Sequence, residues 1–426
     1  MTALPCFLEA DLRGKTVLVR MDHNVVKNGK IKDTMRIDAT IPTLLHIYKK
    51  GGLPILMTHI GRPYDKKTGT INISEGESVT PVVKYLEEKL QLKGIIPECI
   101  ASGPEGITDL SPILPAVQKL RAGEVDFVYL PNTRWFKGEE AKDESADILA
   151  QRWASFADLY INDAFGSWQA HASTYNITKF LPSYAGLLMI KEVQNLEKVF
   201  NPQRPLLSVV AGAKFDTKMG PLSALLKLSD KLVLGGVLYN GYLAAKYKVN
   251  IKGLSPEDLQ LAEQFLQEAE KFPDKIVEMP FIIECDSMED GSNWRIRKVT
   301  DLQAGMDLNY ILDIAPESFS DSSIQEVFSS AATIFVNAVM GYTVLFKEGT
   351  KALYSLIHSC SQAQKLFGGG DTIQEFGDLL PGIFAQAKND PRYYFFTGGG
   401  AVLDAIAQGS PYGMKPVQAL LQKIEK

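Results

Sequence analysis

The feature that most constrains the fold is an alternation. Short, apolar, β-branched runs are separated by longer amphipathic ones from one end of the chain to the other. The pattern predicts strands at Thr16–Arg20, Pro54–Met57, Phe127–Leu130 and Leu159–Ile161. After Pro205 it predicts more at Leu206–Val210, Lys231–Leu234, Tyr310–Leu312, Thr333–Val336, Gln364–Phe367 and Tyr393–Phe396. Helical periodicity covers Ile37–Tyr48, Val79–Leu90, Glu144–Ala154, Pro256–Ala269 and Ile373–Ala387. Strands that read as near-continuous apolar runs are buried on both faces, so the expected class is α/β, with parallel sheets covered by helices on both sides. A chain of 426 residues exceeds one ordinary core and implies two domains of roughly 200 residues each. Lys191–Phe200 reads as a helix that Asn201-Pro202 breaks, which sets the boundary between them. The polar stretch Asp286–Arg297 reads as a surface excursion.

Polar residues cluster just after the strands. Asp22 and Asn24 follow the first, His59, Gly61 and Arg62 the second, Asn132 and Arg134 the third, Asn162 and Asp163 the fourth. In the second half Gly212 and Lys214, Gly235 and Gly236, and Asn337 hold the same positions. Two glycine triplets complete the set: Gly368-Gly369-Gly370 before Asp371 and Thr372, and Gly398-Gly399-Gly400 after Thr397. Open α/β sheets bind ligands beyond the carboxyl ends of their strands. Glycines between a strand and a helix let bare backbone N–H groups approach an anion, with the helix dipole favouring negative charge there. A phosphate-handling enzyme is the expected class.

The halves differ in chemistry. The first offers Arg36, Arg62 and Arg134 beside His59, and arginine forks suit phosphate and carboxylate oxygens. The second offers Lys214 and Lys218, four apart and expected to share a face of a helical first turn. Asp371 suits either a magnesium ion, which favours one or two carboxylates plus phosphate oxygens, or a helix cap, and the two roles are compatible. No GxxxxGK[ST], GxSxG, HExxH or protein-kinase signature occurs. The net charge of −5 argues against general nucleic-acid binding. The cysteines are scattered without a CxxC pair, which argues against a zinc site or a disulfide framework. No apolar run reaches the ~18–20 residues of a membrane span and the N-terminus lacks a signal-peptide pattern, so a cytoplasmic protein is expected.

In order along the chain, VLVRMDHNV (17–25), THIGRP (58–63), NTRWFKGEE (132–140), YINDAFG (160–166), AGAKFDTK (211–218), GGGDT (368–372) and TGGGA (397–401) resemble the motifs of phosphoglycerate kinase, over about residue 12 to the C-terminus. The resemblance implies two Rossmann-like domains joined by an interdomain helix and hinge. It implies an acid-substrate domain over 1–188, a nucleotide domain over 189–405, and a tail, 406–426, that returns to the first. It further implies 3-phosphoglycerate or 1,3-bisphosphoglycerate at Asp22, Asn24, Arg36, His59, Arg62 and Arg134. ATP or ADP with Mg²⁺ would lie at Lys214, Lys218, Gly235, Gly236, Asn337, Gly369, Gly370, Asp371 and Thr372, with Asp371 at the metal. Arg36, Lys214, Gly370 and Gly399 would meet the phosphoryl group in transfer, in a monomer whose domains close by hinge-bending.

The chain also departs from that pattern. Gln169 stands where the family has an arginine before the histidine aligned with His171. Val237 and Ile311 replace glycines expected at the adenosine end, and Val344 replaces an acidic residue, with Glu348 nearby but shifted. Branched side chains there are expected to fill the base pocket. Two alternatives therefore stand beside the main one: an acid kinase with another phosphoryl donor or carboxylic acid, and a non-catalytic descendant that binds phosphorylated ligands.

Overall fold

The computed structural model describes residues 4–422, which divide into two compact units, 4–193 with 412–422, and Gln194–Pro411. In the first unit the apolar runs form β1 (Thr16–Met21), β2 (Leu53–Met57), β3 (Gly94–Ile95), β4 (Phe127–Tyr129), β5 (Leu159–Asp163) and β6 (Ser183–Ala185). They make one parallel sheet in the order β6-β5-β1-β2-β4-β3. All of β1 is buried, and its side chains alternate between two cores. Leu18 packs with Ile55, Met57, Val128 and Trp153 on one face, while Val17 and Val19 pack with Leu56, Phe127 and Ile161 on the other. The order in which strands are added reverses between β1 and β5, so the carboxyl ends of these strands flank a crevice.

The second unit contains β7 (Leu206–Gly212), β8 (Lys231–Gly235), β9 (Ile276–Val277), β10 (Phe281–Cys285), β11 (Arg295–Lys298), β12 (Tyr310–Ile314), β13 (Thr333–Asn337), β14 (Gln364–Phe367) and β15 (Tyr393–Phe395). Its parallel sheet runs β9-β8-β7-β13-β14-β15, the 3-2-1-4-5-6 order of a doubly wound Rossmann-like sheet. The switch point lies between β7 and β13, where Val210 pairs with Asn337.

Two sequence expectations are corrected. The strand at Tyr310–Leu312 does not join the parallel sheet: β12 forms an antiparallel sheet with β10 and β11. The Asp286–Arg297 stretch is mostly exposed or half-buried, as expected of a surface excursion, and its last residues open β11. The carboxylate of Glu284, 1% exposed, accepts from Arg295 Nη2 at 2.6 Å and Arg297 Nε at 2.5 Å. The single helix expected over Ile373–Ala387 is two, Gly370–Leu379 and Pro381–Ala387. Proline has no N–H to donate and disfavours the helical region in the residue before it, and Leu380 sits at φ −136°, ψ 58°.

The helix Leu187–Phe200 contains the boundary between the units. Its first turn is held by the buried Asp163, whose Oδ1 accepts from Leu188 N at 2.9 Å and Met189 N at 3.1 Å. The helix Lys415–Leu421 belongs to the first unit and lies against β6. No helix among the described residues is long and apolar enough to cross a membrane.

Candidate active site

In the first unit, charged groups gather beyond the carboxyl ends of β1, β2, β4 and β5. Asp22, 2% exposed, lies with its Oδ2 3.6 Å from Arg36 Nη1. Asn24 Oδ1 accepts the Gly61 N–H at 2.9 Å, and Arg134 Nη1 donates to the Gly61 carbonyl at 2.5 Å. Gly61 has φ +65°, a backbone conformation that favours glycine, and Glu77 Oε1 occupies the space a Cβ would enter. Asn132 latches the same loop, accepting from Ile60 N at 3.1 Å and donating to Ile60 O at 2.7 Å. Arg134 Nη2 also meets Glu140 Oε1 at 3.1 Å, whereas Arg62 is exposed.

His59 is buried and contacts Arg20 Nη2 through Nδ1 at 2.9 Å. Burial first, then the charges of Arg20, Arg134, His171 and Arg36, hold its pKa well below the ordinary histidine value. The ring is therefore neutral. A guanidinium only donates, so Nδ1 is the acceptor and the proton sits on Nε2, an assignment made from the donor inventory. His171 is pushed down to about 4 by burial, against the pull of Glu140. His23 is pushed down to about 3, again by burial, and contacts Tyr129 and Thr40 at 2.8 Å each.

In the second unit the groups meet at the switch point. Lys218 Nζ donates to Asn337 Oδ1 at 2.5 Å, and Asn337 Nδ2 donates to the Gly368 carbonyl at 2.7 Å. Burial brings the Lys218 pKa down to about 8, opposed by the charge of Asp371. Gly369 has φ +112°, and a Cβ on Gly399 would lie 2.3 Å from Gly369 Cα. The two glycine triplets thus pack backbone against backbone. Each opens a helix, Gly370–Leu379 and Gly399–Ala407, whose N-terminus has no side-chain cap, so first-turn N–H groups stay available to a ligand. A Cβ on Gly370 would meet nothing within 4 Å. Asp371 is exposed at the start of its helix and Thr372 is buried. Gly235 ends β8, and Gly236 bridges to Gly212 and donates its N–H to Met340 O at 3.0 Å.

One site expectation is corrected. Lys214 and Lys218 do not share a helical face: Lys214 lies exposed in the loop after β7, and the helix Met219–Leu228 starts only after Lys218. Of the residues that depart from the family pattern, Val344 is 76% exposed, and Ile311 is buried in β12, with its carbonyl accepting from Asn240 Nδ2 at 2.9 Å. The sequence reading also passed over Arg20, Glu139 and Ser173. The signal for Arg20 was present, because a charge inside an otherwise apolar strand demands buried partners.

A doubly wound sheet with an uncapped double anion cradle at the carboxyl ends of β14 and β15, next to its switch point, defines an α/β protein built to hold phosphate. The family model described as phosphoglycerate kinase matches residues 8–409. The phosphoglycerate kinase of Roseiflexus sp. (strain RS-1) is 34% identical over 405 residues, covering 93% of this chain and 95% of that one. That of Chlamydia trachomatis serovar D is 34% identical over 427 residues, covering 96% and 98%. The solved phosphoglycerate kinase of Coxiella burnetii superposes with a TM-score of 0.77 at 26% identity, covering 98% of this chain and 99% of that one. The chain belongs to the phosphoglycerate kinase family and is a phosphotransferase.

Proposed function

We propose that the first unit binds 3-phosphoglycerate through Asp22, Asn24, Arg36, His59, Arg62 and Arg134. The second binds the adenine nucleotide through Lys214, Lys218, Gly235, Gly236, Asn337, Gly369, Gly370, Asp371 and Thr372. The reaction is reversible phosphoryl transfer between 1,3-bisphosphoglycerate and ADP. The observation that carries the nucleotide site is the run from Lys218 through Asn337 to Gly368, with the two triplets in backbone contact beside it.

The chemistry asks for little covalent help. The substrate carboxylate is a nucleophile at neutral pH, so no general base is needed. His59 suits that picture: its Nδ1 is taken by Arg20 and its Nε2 is protonated, so it donates a hydrogen bond and accepts no proton. Catalysis then reduces to in-line positioning and to neutralising charge on the phosphoryl oxygens. Arg36, Lys214 and the N–H groups at Gly370 and Gly399 supply that charge complement. A lone exposed carboxylate at a helix start fits Mg²⁺ held jointly with nucleotide phosphates, and Asp371 would be that ligand. The ion would supply charge neutralisation at the phosphates. Closing of the two units on both ligands would exclude water from the acyl phosphate.

A turnover assay with 3-phosphoglycerate and, in turn, ATP, GTP and pyrophosphate tests this reading. Activity with ATP and Mg²⁺ is expected. Turnover with pyrophosphate but not ATP would move the protein to an acid kinase with another donor, and none with any donor would leave a non-catalytic descendant.

A further inference from the structure

Arg20 lies inside β1, in a run whose other members are Thr, Val, Leu and Met, and it is fully buried. Its guanidinium is spent on three acceptors. Nη1 donates to the Met21 carbonyl, Nε to Ser173 Oγ at 2.9 Å, and Nη2 to His59 Nδ1 at 2.9 Å. Ser173 Oγ donates a hydrogen bond to Glu139 Oε1 at 2.5 Å, and Ser173 N donates to Glu139 Oε2 at 2.9 Å. Glu139 is 1% exposed, so the buried guanidinium faces a buried carboxyl group across a single hydroxyl; burial raises the Glu139 pKa, and the Arg20 charge opposes that shift. Tyr160 OH fixes Ser173 from the other side through its carbonyl, at 2.8 Å.

We propose that Arg20 is a positioning residue of the acid-substrate site: it locks His59 as the neutral Nε2–H tautomer, and Glu139 with Ser173 holds Arg20 in the pose that does so. The proposal rests on the reading of His59 as a ligand of the phosphorylated acid. An imidazolium would add charge for an anion but would be lost as pH rises through the ordinary histidine range. A locked neutral donor keeps the same hydrogen bond across that range. The charged or titratable groups facing His59 are Arg20, Arg134, His171 and Arg36. None is an acid that would draw a second proton onto the ring, and a proton on Nδ1 would point at the Arg20 N–H.

Long-range ¹H–¹⁵N spectra of ¹⁵N-histidine-labelled full-length protein test this, with His59→Gln assigning the signal among the five histidines. In the wild type, the Nε2–H tautomer with no titration between about pH 5 and 8 is expected. In Arg20→Met the ring should mix tautomers or titrate in that window. KM for 3-phosphoglycerate should rise about tenfold and become pH-dependent, with kcat changing less. Arg20→Lys, which still donates, should restore the tautomer. Should Arg20→Met not fold, Ser173→Ala and Glu139→Gln should show the same changes in weaker form. A wild-type ring that titrates or carries Nδ1–H overturns the proposal, as do unchanged His59 signals in the folded Arg20→Met or, failing that, in Ser173→Ala. A wild type with the expected ring that does not bind 3-phosphoglycerate overturns the substrate reading and leaves the tautomer assignment standing.

Discussion

His23 shows what burial does to a single titratable group in this chain. It is fully buried, bonded through both ring nitrogens, and its pKa is pushed down to about 3. Between that value and the ordinary one near 6.5, the unfolded chain binds a proton that the folded chain refuses. Its contribution is therefore complete above pH 6.5 and is lost as pH falls toward 3. The slope for one proton is about 1.4 kcal/mol per pH unit. Asp313, raised to about 7 by burial, acts in the opposite sense, so wild-type stability alone does not isolate His23. His23→Gln keeps a donor and an acceptor but does not titrate. Between pH 7 and 4.5 the urea midpoint of this variant should fall less, or rise more, than that of the wild type, by about one proton's share of the slope. Equal differences would place the acid sensitivity elsewhere. The sequence names His23 beside Asp22, but its burial is a property of β1, β4 and the helix Met35–Lys49 together.

At the scale of elements, the two triplets look alike in sequence and differ in structure. A Cβ on Gly399 would strike the Gly369 backbone at 2.3 Å, whereas one on Gly370 would meet only open space. Gly399→Ala should therefore damage the protein itself: a thermal midpoint lower by several degrees is expected, from a clash costing on the order of 1–3 kcal/mol. Gly370→Ala should leave the midpoint near the wild-type value while weakening nucleotide binding, because the space it enters is kept for the ligand. Calorimetric unfolding and nucleotide Kd, measured on both variants, check this; a Gly370→Ala protein with normal nucleotide affinity would remove that residue from the site. The triplets were legible because strand–glycine–helix is a local pattern. Their mutual contact was not, since β14 and β15 must pair before the two turns meet. The antiparallel sheet of β10–β12 was missed for a related reason. Its strand β11 reads as charged, and only the burial of Glu284 explains why Arg295 and Arg297 belong there.

At the scale of the whole molecule, the chain returns to its first unit at the end. Met414, Val417 and Leu420 are at most 1% exposed, around a helix that lies against β6. Burying such side chains contributes roughly 1.5–3 kcal/mol each, as an upper estimate. A chain ending at Pro411 should lose about 5 kcal/mol from the first unit and little from the second. Hydrogen exchange resolved by segment reads this directly: amides of β5 and β6 should exchange faster while those of β7 and β13 keep their protection. Uniform loss across both sheets would contradict the assignment of this segment to the first unit.

The sequence by itself determined the α/β class, most strand positions, and the placing of polar residues and glycines after strands. Each of these follows from spacing along the chain, and spacing is set before any folding occurs. Only the tertiary structure decided which of those residues act on one another. Lys218 and Asn337 are 119 residues apart, Arg20 and Ser173 are 153, and a hydrogen bond between such partners exists only once β-strands far apart in sequence lie side by side. The same packing removes water from His59 and Arg20, and burial, not sequence, sets the protonation state with which the site meets an anion.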